Sequence, residues 1–407
     1  MLKTNTKNLV LIFLAVSCQI FACMNISFVN QYIEATGAID AFFVGNHLDL
    51  TYWMFLTIFA RICGAYLIGK YADKAGILRA ILFISRMFVL ISMLCAVFCI
   101  TQEISYEINR GFYFFRFFYC FLEPAALILP YLYVLQHNSH LNHYKISALF
   151  LGAMFVAKSF SYHLIHLPPD LVKIWYVLPP VTTLFSWGIY YYLEKHSVNK
   201  ILVQKNVSMP LKVKTLTCLF GAACAAGVFY HHFFVSYYLL NIKIIDASAD
   251  LGSVTYYALC ALFLLPAAKL CEKFGLYRTI QTSLCMLFIL GINFVLSSPE
   301  PTMYVIQQVL FSFFSTLFVA PILAILYKIY KNFPSASDIM FWFIFGFSLC
   351  TLLARFEQQI SLQKGLGWCV YSFSALLCFI VVYKFNSEAN LNKKSTIIPT
   401  EFKLFEA

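Results

Sequence analysis

One carboxylate stands deep inside a long apolar run: Glu123, within Phe121-Leu122-Glu123-Pro124-Ala125-Ala126. A charge placed in hydrocarbon costs from ~2.5 kcal/mol upward, so it calls for a partner or a function. Counted from Gly111 at ~1.5 Å per residue, Glu123 lies ~18 Å in, near the middle of a ~30 Å apolar layer. Arg61, counted from Thr51, reaches ~15 Å by the same rise, so an Arg61–Glu123 pair across two helices is feasible. Burial favours the protonated carboxyl and a nearby arginine favours the ionised one. A pair whose separation changes would therefore capture and release a proton, whereas a pair held still is a structural ion pair. The sequence leaves both open.

Other titratable residues surround this pair in the sequence. Arg116 precedes Glu123 by two helical turns and shares its face ~10 Å away, either lining a cavity or snorkelling to the interface. Lys158 sits deeper in its run than a snorkelling lysine needs to. Arg86, Arg355 and Glu357 fall near the ends of theirs. His231 and His232 interrupt Phe-Tyr-His-His-Phe-Phe; adjacent helical residues point ~100° apart, so at most one can serve a proton relay, the other reading being a hydrogen-bonded structural histidine. His137, His140 and His143 recur at a spacing a metal site could use, but no cysteine or acid stands beside them, and no metal or cofactor is expected. Gly64 to Tyr71 misses the phosphate-loop pattern because Tyr71 stands where Ser or Thr would hold magnesium, so no ATP-driven step is expected.

The elements carrying these residues are membrane helices. Hydrophobic residues make up 61% of the 407-residue chain and charged residues 12%, which excludes a set of soluble domains. Spans are expected at about 9–30, 51–69, 80–100, 111–136, 146–165 and 172–193, then 215–240, 253–268, 279–298, 303–327, 335–357 and 367–384. The segment from Met1 to Ile33 is longer than a secretory signal and lacks a small-residue cleavage site, so it reads as a retained first span. The formal charge of +11 is not a nucleic-acid footprint, because of where the bases lie. Loops on the side of the N-terminus hold most of them, whereas the opposite loops hold only Arg110, Lys173, Lys243 and Lys364. This positive-inside bias places both termini in the cytoplasm. None of the 14 cysteines falls in an outer loop, so no disulfide framework is implied.

The longest polar interval, 194–214, divides the chain into a bundle at 1–193 and a second at 215–384, followed by a tail at 385–407. The halves repeat. Between spans two and three the chain reads Gly69-Lys70-Tyr71-Ala72-Asp73-Lys74-Ala75-Gly76-Ile77-Leu78-Arg79; between spans eight and nine it reads Ala268-Lys269-Leu270-Cys271-Glu272-Lys273-Phe274-Gly275-Leu276-Tyr277-Arg278. At one constant offset Lys70 matches Lys269, Asp73 matches Glu272, Lys74 matches Lys273, Gly76 matches Gly275 and Arg79 matches Arg278. Two parallel six-helix repeats form the architecture in which a solute sits near midplane at the repeat interface.

Gly69, Asp73, Lys74 and Gly76 resemble the Gly-x-x-x-Asp-Arg/Lys-x-Gly loop of the major facilitator superfamily, with Ile77 and Leu78 in place of its next basic pair. The resemblance implies an all-α fold of twelve transmembrane helices in two six-helix repeats. It also implies that this loop, with Arg79 and its repeat at Glu272, Lys273, Gly275 and Arg278, is a conformational latch. Arg61 with Gly64 and Gly69, and Arg116 with Pro130, Tyr133 and Gln136, are similar to motifs of the metabolite:proton symporter branch, which includes proline/betaine carriers. Ile62, Cys120, Pro124 and Ala125 depart from that pattern.

The expected function is secondary active transport of a small polar metabolite, charged or zwitterionic, coupled to protons, by a monomer in a bacterial inner membrane. An exchanger or facilitator on the same fold, or a transport-silent interaction protein, are the alternatives. An embedded enzyme would need a convergent catalytic set at one depth, and the sequence offers none.

Overall fold

The computed structural model describes residues 7–22, 47–101, 106–137, 142–164, 169–196, 209–225, 249–296 and 301–360. Among these the regular structure is helical: α1 (Lys7–Ala22), α2 (His47–Ala75), α3 (Ile77–Thr101), α4 (Tyr106–His137), α5 (His143–Leu164), α6 (Pro169–His196), α7 (211–225), α8 (Ala249–Phe274), α9 (Leu276–Leu296), α10 (Pro301–Val319), α11 (Ile322–Asn332) and α12 (Ala336–Ile360). Four stretches are long and apolar enough to cross a membrane by length and composition: Phe55–Ala75, Ile77–Phe98, Phe114–Gln136 and Val305–Asn332. Large apolar side chains such as Phe59, Leu67, Val97, Val181 and Leu262 point outward, which suits a lipid surround and would be costly in water.

The chain forms two units. The first comprises 1–141, 149–205 and 336–344; the second comprises 142–148, 206–335 and 345–407. In the first, α2 and α3 form a hairpin, α4 packs on both, and α6 lies along α3. In the second, α8 and α9 form a hairpin and α10 packs on both. The repeat seen in the sequence is thus a repeat of three-helix packing.

A single residue joins each hairpin. Gly76 has φ 94° and Gly275 has φ 82°, the left-handed region that side chains with a Cβ rarely enter. At each helix end the glycine amide donates to the carbonyl one turn back, Gly76 to Ala72 at 2.9 Å and Gly275 to Cys271 at 3.1 Å. The next helix then starts on the glycine carbonyl, with Ala80 and Thr279 donating at 3.2 Å each. A glycine ends one helix and admits the next without a loop.

The helices extend beyond the expected spans. α2 starts at His47 and ends at Ala75, and α8 ends at Phe274, because polar ends continue a helix past the apolar layer. The expected tenth span, 303–327, falls on the apolar stretch Val305–Asn332, within which a turn separates α10 from α11. Pro321 has no N–H to donate, so the helix turns at Ala320 and resumes with Ile325 donating to Pro321 at 2.9 Å. The Ala320 carbonyl accepts the Ser147 hydroxyl at 2.5 Å, which satisfies a group the break would otherwise orphan. The twelfth expected span, residues 226–240 of the seventh and residues 23–30 of the first lie outside the described residues.

Candidate functional site

The first cluster is built where α2 and α4 touch. A Cβ on Gly64 would stand 1.9 Å from the Phe121 carbonyl oxygen, so only glycine lets the two backbones approach this closely. One turn away, Arg61 meets Glu123: Nε donates to Oε2 at 3.0 Å, and Nη2 lies 3.0 Å from the same oxygen. The side chains are 25% and 34% exposed, so the pair is half-buried rather than sealed in a core.

Arg116 and Glu123 lie on one face of α4 with Cys120 between them. The Cys120 side chain is buried. Cys120 itself was legible only as a departure from a glycine position. Lys158 of α5 is half-buried in the same unit. His231 and His232 lie outside the described residues.

The second cluster is the end of α2. Asp73 Oδ1 accepts the Ala336 amide at 2.7 Å; Oδ2 accepts the Ser337 amide at 3.1 Å and the Ser337 hydroxyl at 2.6 Å. These are the first amides of α12, which have no partner within their own helix and carry the positive end of its dipole. Gly69 permits the approach, since a Cβ there would come within 2.5 Å of Ser337 Cα. Tyr66 supports it, with its ring edge-on to Phe341 at 5.7 Å and Lys70 Nζ 4.4 Å above its face. Lys74 and Arg79 are exposed.

The repeat of this turn works differently. Glu272 accepts the side-chain amide of Asn142 and lies 3.5 Å from Lys145 Nζ. Asn142 Oδ1 in turn accepts the Tyr144 amide at 3.0 Å and the Lys145 amide at 3.1 Å, capping α5. Next to this cap, His143 stacks on Tyr327 with ring centroids 5.1 Å apart. Its pKa is pushed below the usual imidazole value, first by burial and then by Lys328 and Lys331. Lys273 Nζ sits 5.4 Å over the Phe274 ring, and Arg278 is exposed. Ser337 and Asn142 were missed in the sequence as partners of the two turns. Each stands at a readable helix start, but nothing local says which distant carboxylate meets it.

No protein-family model matches the chain, and no curated protein matches it in sequence. Solved structures do match. The human organic anion transporter MFSD10 (TETRAN) is 11% identical and superposes with a TM-score of 0.70 over 93% of this chain and 99% of its own. The proton:xylose symporter XylE, bound to 6-bromo-6-deoxy-D-glucose, is 12% identical and superposes with a TM-score of 0.66 over 94% of this chain and 95% of its own. The chain therefore has the major facilitator fold, the all-α, twelve-span architecture that the repeat and the loop motif foretold. It is a multi-pass membrane protein.

Proposed function

We propose that the chain is a secondary transporter and not an enzyme, moving a small polar metabolite, charged or zwitterionic, by alternating access coupled to protons. The observation that carries this reading is the half-buried Arg61–Glu123 pair inside two membrane helices of a fold that solved transporters share. A carboxylate at that depth changes its proton affinity whenever its arginine moves or water reaches it. Moving the two six-helix halves, 1–193 and 215–384, would supply that change, with 194–214 as the cytoplasmic linker and 385–407 as the tail. Asp73 and Glu272 serve as latches, since each binds the start of another helix through bonds that a change of conformer can break. Arg116, Lys158, His231 and His232 complete the candidate solute and proton ligands.

On this reading the protein works as a monomer in a bacterial inner membrane with both termini cytoplasmic. The neighbours' substrates, described as organic anions for MFSD10 and xylose for XylE, span charged and neutral solutes, so the fold alone does not choose between them. Uptake into proteoliposomes with and without an imposed pH gradient tests the coupling. Accumulation driven by the gradient supports symport; solute exchange indifferent to it makes the protein an exchanger or facilitator.

A further inference from the structure

We propose that the outward face of α6 binds an anionic phospholipid, whose phosphate sits between Lys7 and Lys195 and one of whose acyl chains lies in a notch at Gly188. What α6 buries sets this face. Thr183 shares a 2.8 Å hydrogen bond with Ser92 of α3, and Ser186, Tyr190 and Leu193 are buried on the same side. The opposite side advances in steps of three and four residues: Val181, Leu184 and Phe185, then Gly188, then Tyr191 and Tyr192, all exposed. Val181 to Tyr191 measures ~15 Å at ~1.5 Å per residue, half of a ~30 Å apolar layer, so the stripe matches one leaflet. A Cβ on Gly188 would meet nothing within 4 Å among the described residues, which leaves a hollow in the stripe wide enough for a chain to enter.

The polar end of the stripe carries positive charge that is held in place. Lys195 Nζ lies 4.8 Å from the centre of the Tyr191 ring, and Lys7 Nζ, from α1, lies 5.8 Å from that of Tyr192. The His196 ring stacks on Tyr192 at 4.2 Å, and its Nδ1 donates to the Tyr192 carbonyl at 2.9 Å, since a carbonyl can only accept. A lysine that merely snorkels reaches out into water, whereas these two turn over rings on adjacent residues. An ammonium has three donors and a ring face engages one side of it, so donors on the outer side are left for a phosphate oxygen. Trp187, stacked on Tyr191 at 5.8 Å, stands at the height where headgroup gives way to chains.

The adjoining sequence adds bases, not acids. Residues 1–8 contain Lys3 and Lys7 and no acid, and residues 194–205 contain Lys195, Lys200 and Lys205 against Glu194 alone. A zwitterionic headgroup would bring its own cation beside these bases, and a free phosphate would leave the apolar stripe uncovered. A glycerolipid of net negative charge meets both parts. A second copy of the chain could cover the stripe too, but a two-fold contact in one membrane would set Lys195 and His196 against the same bases of the other copy. The bound lipid ties α1 to α6 through its phosphate.

Trp187, next to the notch, reports occupancy. The full-length protein keeping Trp187 as its only tryptophan is reconstituted in phosphatidylcholine bilayers with graded fractions of chain-brominated phosphatidylglycerol, and its fluorescence quenching is compared with that by chain-brominated phosphatidylcholine. Phosphatidylglycerol should be preferred by about fivefold for each lysine, and the preference should shrink in high salt. Lys7→Gln with Lys195→Gln changes only exposed side chains, so it should fold and be quenched alike by both lipids. Gly188→Leu, whose side chain enters open space, should leave the melting temperature unchanged and weaken quenching by both. Equal quenching by the two lipids in the parent protein, or a preference that the double lysine variant keeps, overturns the site. So does a Trp187 shielded from both lipids while cysteines placed at 188 cross-link between copies. Should the single-tryptophan protein not fold, the lipid that the wild type retains through delipidation is identified by mass. Phosphatidylglycerol held by the wild type and lost from the double lysine variant supports the site, and equal retention refutes it.

Discussion

The two repeated turns, Asp73 after α2 and Glu272 after α8, begin from nearly the same sequence and end in different chemistry. Asp73 accepts two backbone amides and a hydroxyl at the start of α12, so its carboxylate caps that helix directly. Glu272 binds no backbone; it holds Asn142, which does the capping, and leans on the exposed Lys145. A short carboxylate beside a glycine can reach a helix end directly, whereas a longer one reaches a side chain. One repeated motif thus yields three hydrogen bonds to a helix start in the first unit and a side-chain contact in the second. The helix interiors differ in the same sense: α2 and α4 carry the Arg61–Glu123 pair, while α8 meets α10 through a neutral Cys260 thiol donating to the Ser312 carbonyl at 3.8 Å.

The largest expected effect is at Asp73. Hydrogen bonds to a charged group contribute about 1.5–3 kcal/mol each, and Asp73→Ala removes three of them and leaves the first amides of α12 unpaired. Transport should fall at least tenfold at matched expression while insertion is preserved; Asp73→Asn should fall less, because its amide oxygen can still accept. Wild-type initial rates in Asp73→Ala would remove the distinction between the turns. Gly69→Val should mimic that loss by steric means alone, since any Cβ there meets the Ser337 backbone. A melting temperature and rate unchanged by Gly69→Val would show that α12 does not dock where described.

Smaller changes are expected in the second unit. Glu272→Gln keeps the hydrogen bond to Asn142 and loses only an exposed ion pair, about 0–1 kcal/mol, so its rate should stay within a few-fold of wild type. Asn142→Ala removes the α5 cap and should cost about 1 kcal/mol in a reversible melt. If Glu272→Gln is as damaging as Asp73→Ala, the turns are equivalent and the comparison fails. The smallest effect belongs to His143, whose lowered pKa means the folded protein holds its proton more weakly than the unfolded chain. Its contribution is therefore full above the unfolded value of about 6.5 and is lost as pH falls towards the folded value. His143→Phe, which keeps the stacking on Tyr327, should flatten that acid-side loss in a pH series of melting temperatures.

The spans were legible because the bilayer imposes a local rule: each crossing segment must satisfy its own backbone and be apolar for a fixed length. The hairpin glycines were legible because Gly76 and Gly275 recur in register, and their positive φ values give the reason. The Arg61–Glu123 pair was legible from depth alone, since a lone carboxylate at midplane needs a base at the same height. The break at Pro321 was not, because membrane helices tolerate proline and its effect depends on Ser147, far away in the chain. Cys120, Ser337 and Asn142 escaped for the same reason. They are ordinary residues whose importance comes from what a distant element brings beside them.

We propose Glu123 as the coupling carboxylate rather than half of a fixed ion pair, and Glu123→Gln separates the two because it fixes the neutral form at nearly constant volume. The measurement is solute accumulation in proteoliposomes carrying wild type or Glu123→Gln, with and without an imposed pH gradient, beside solute exchange at equal pH. The variant should lose gradient-driven accumulation and retain exchange, and Arg61→Ala should damage both by stranding the carboxylate. A Glu123→Gln protein that still concentrates solute in response to the gradient would contradict it and move the coupling role to His231 or His232.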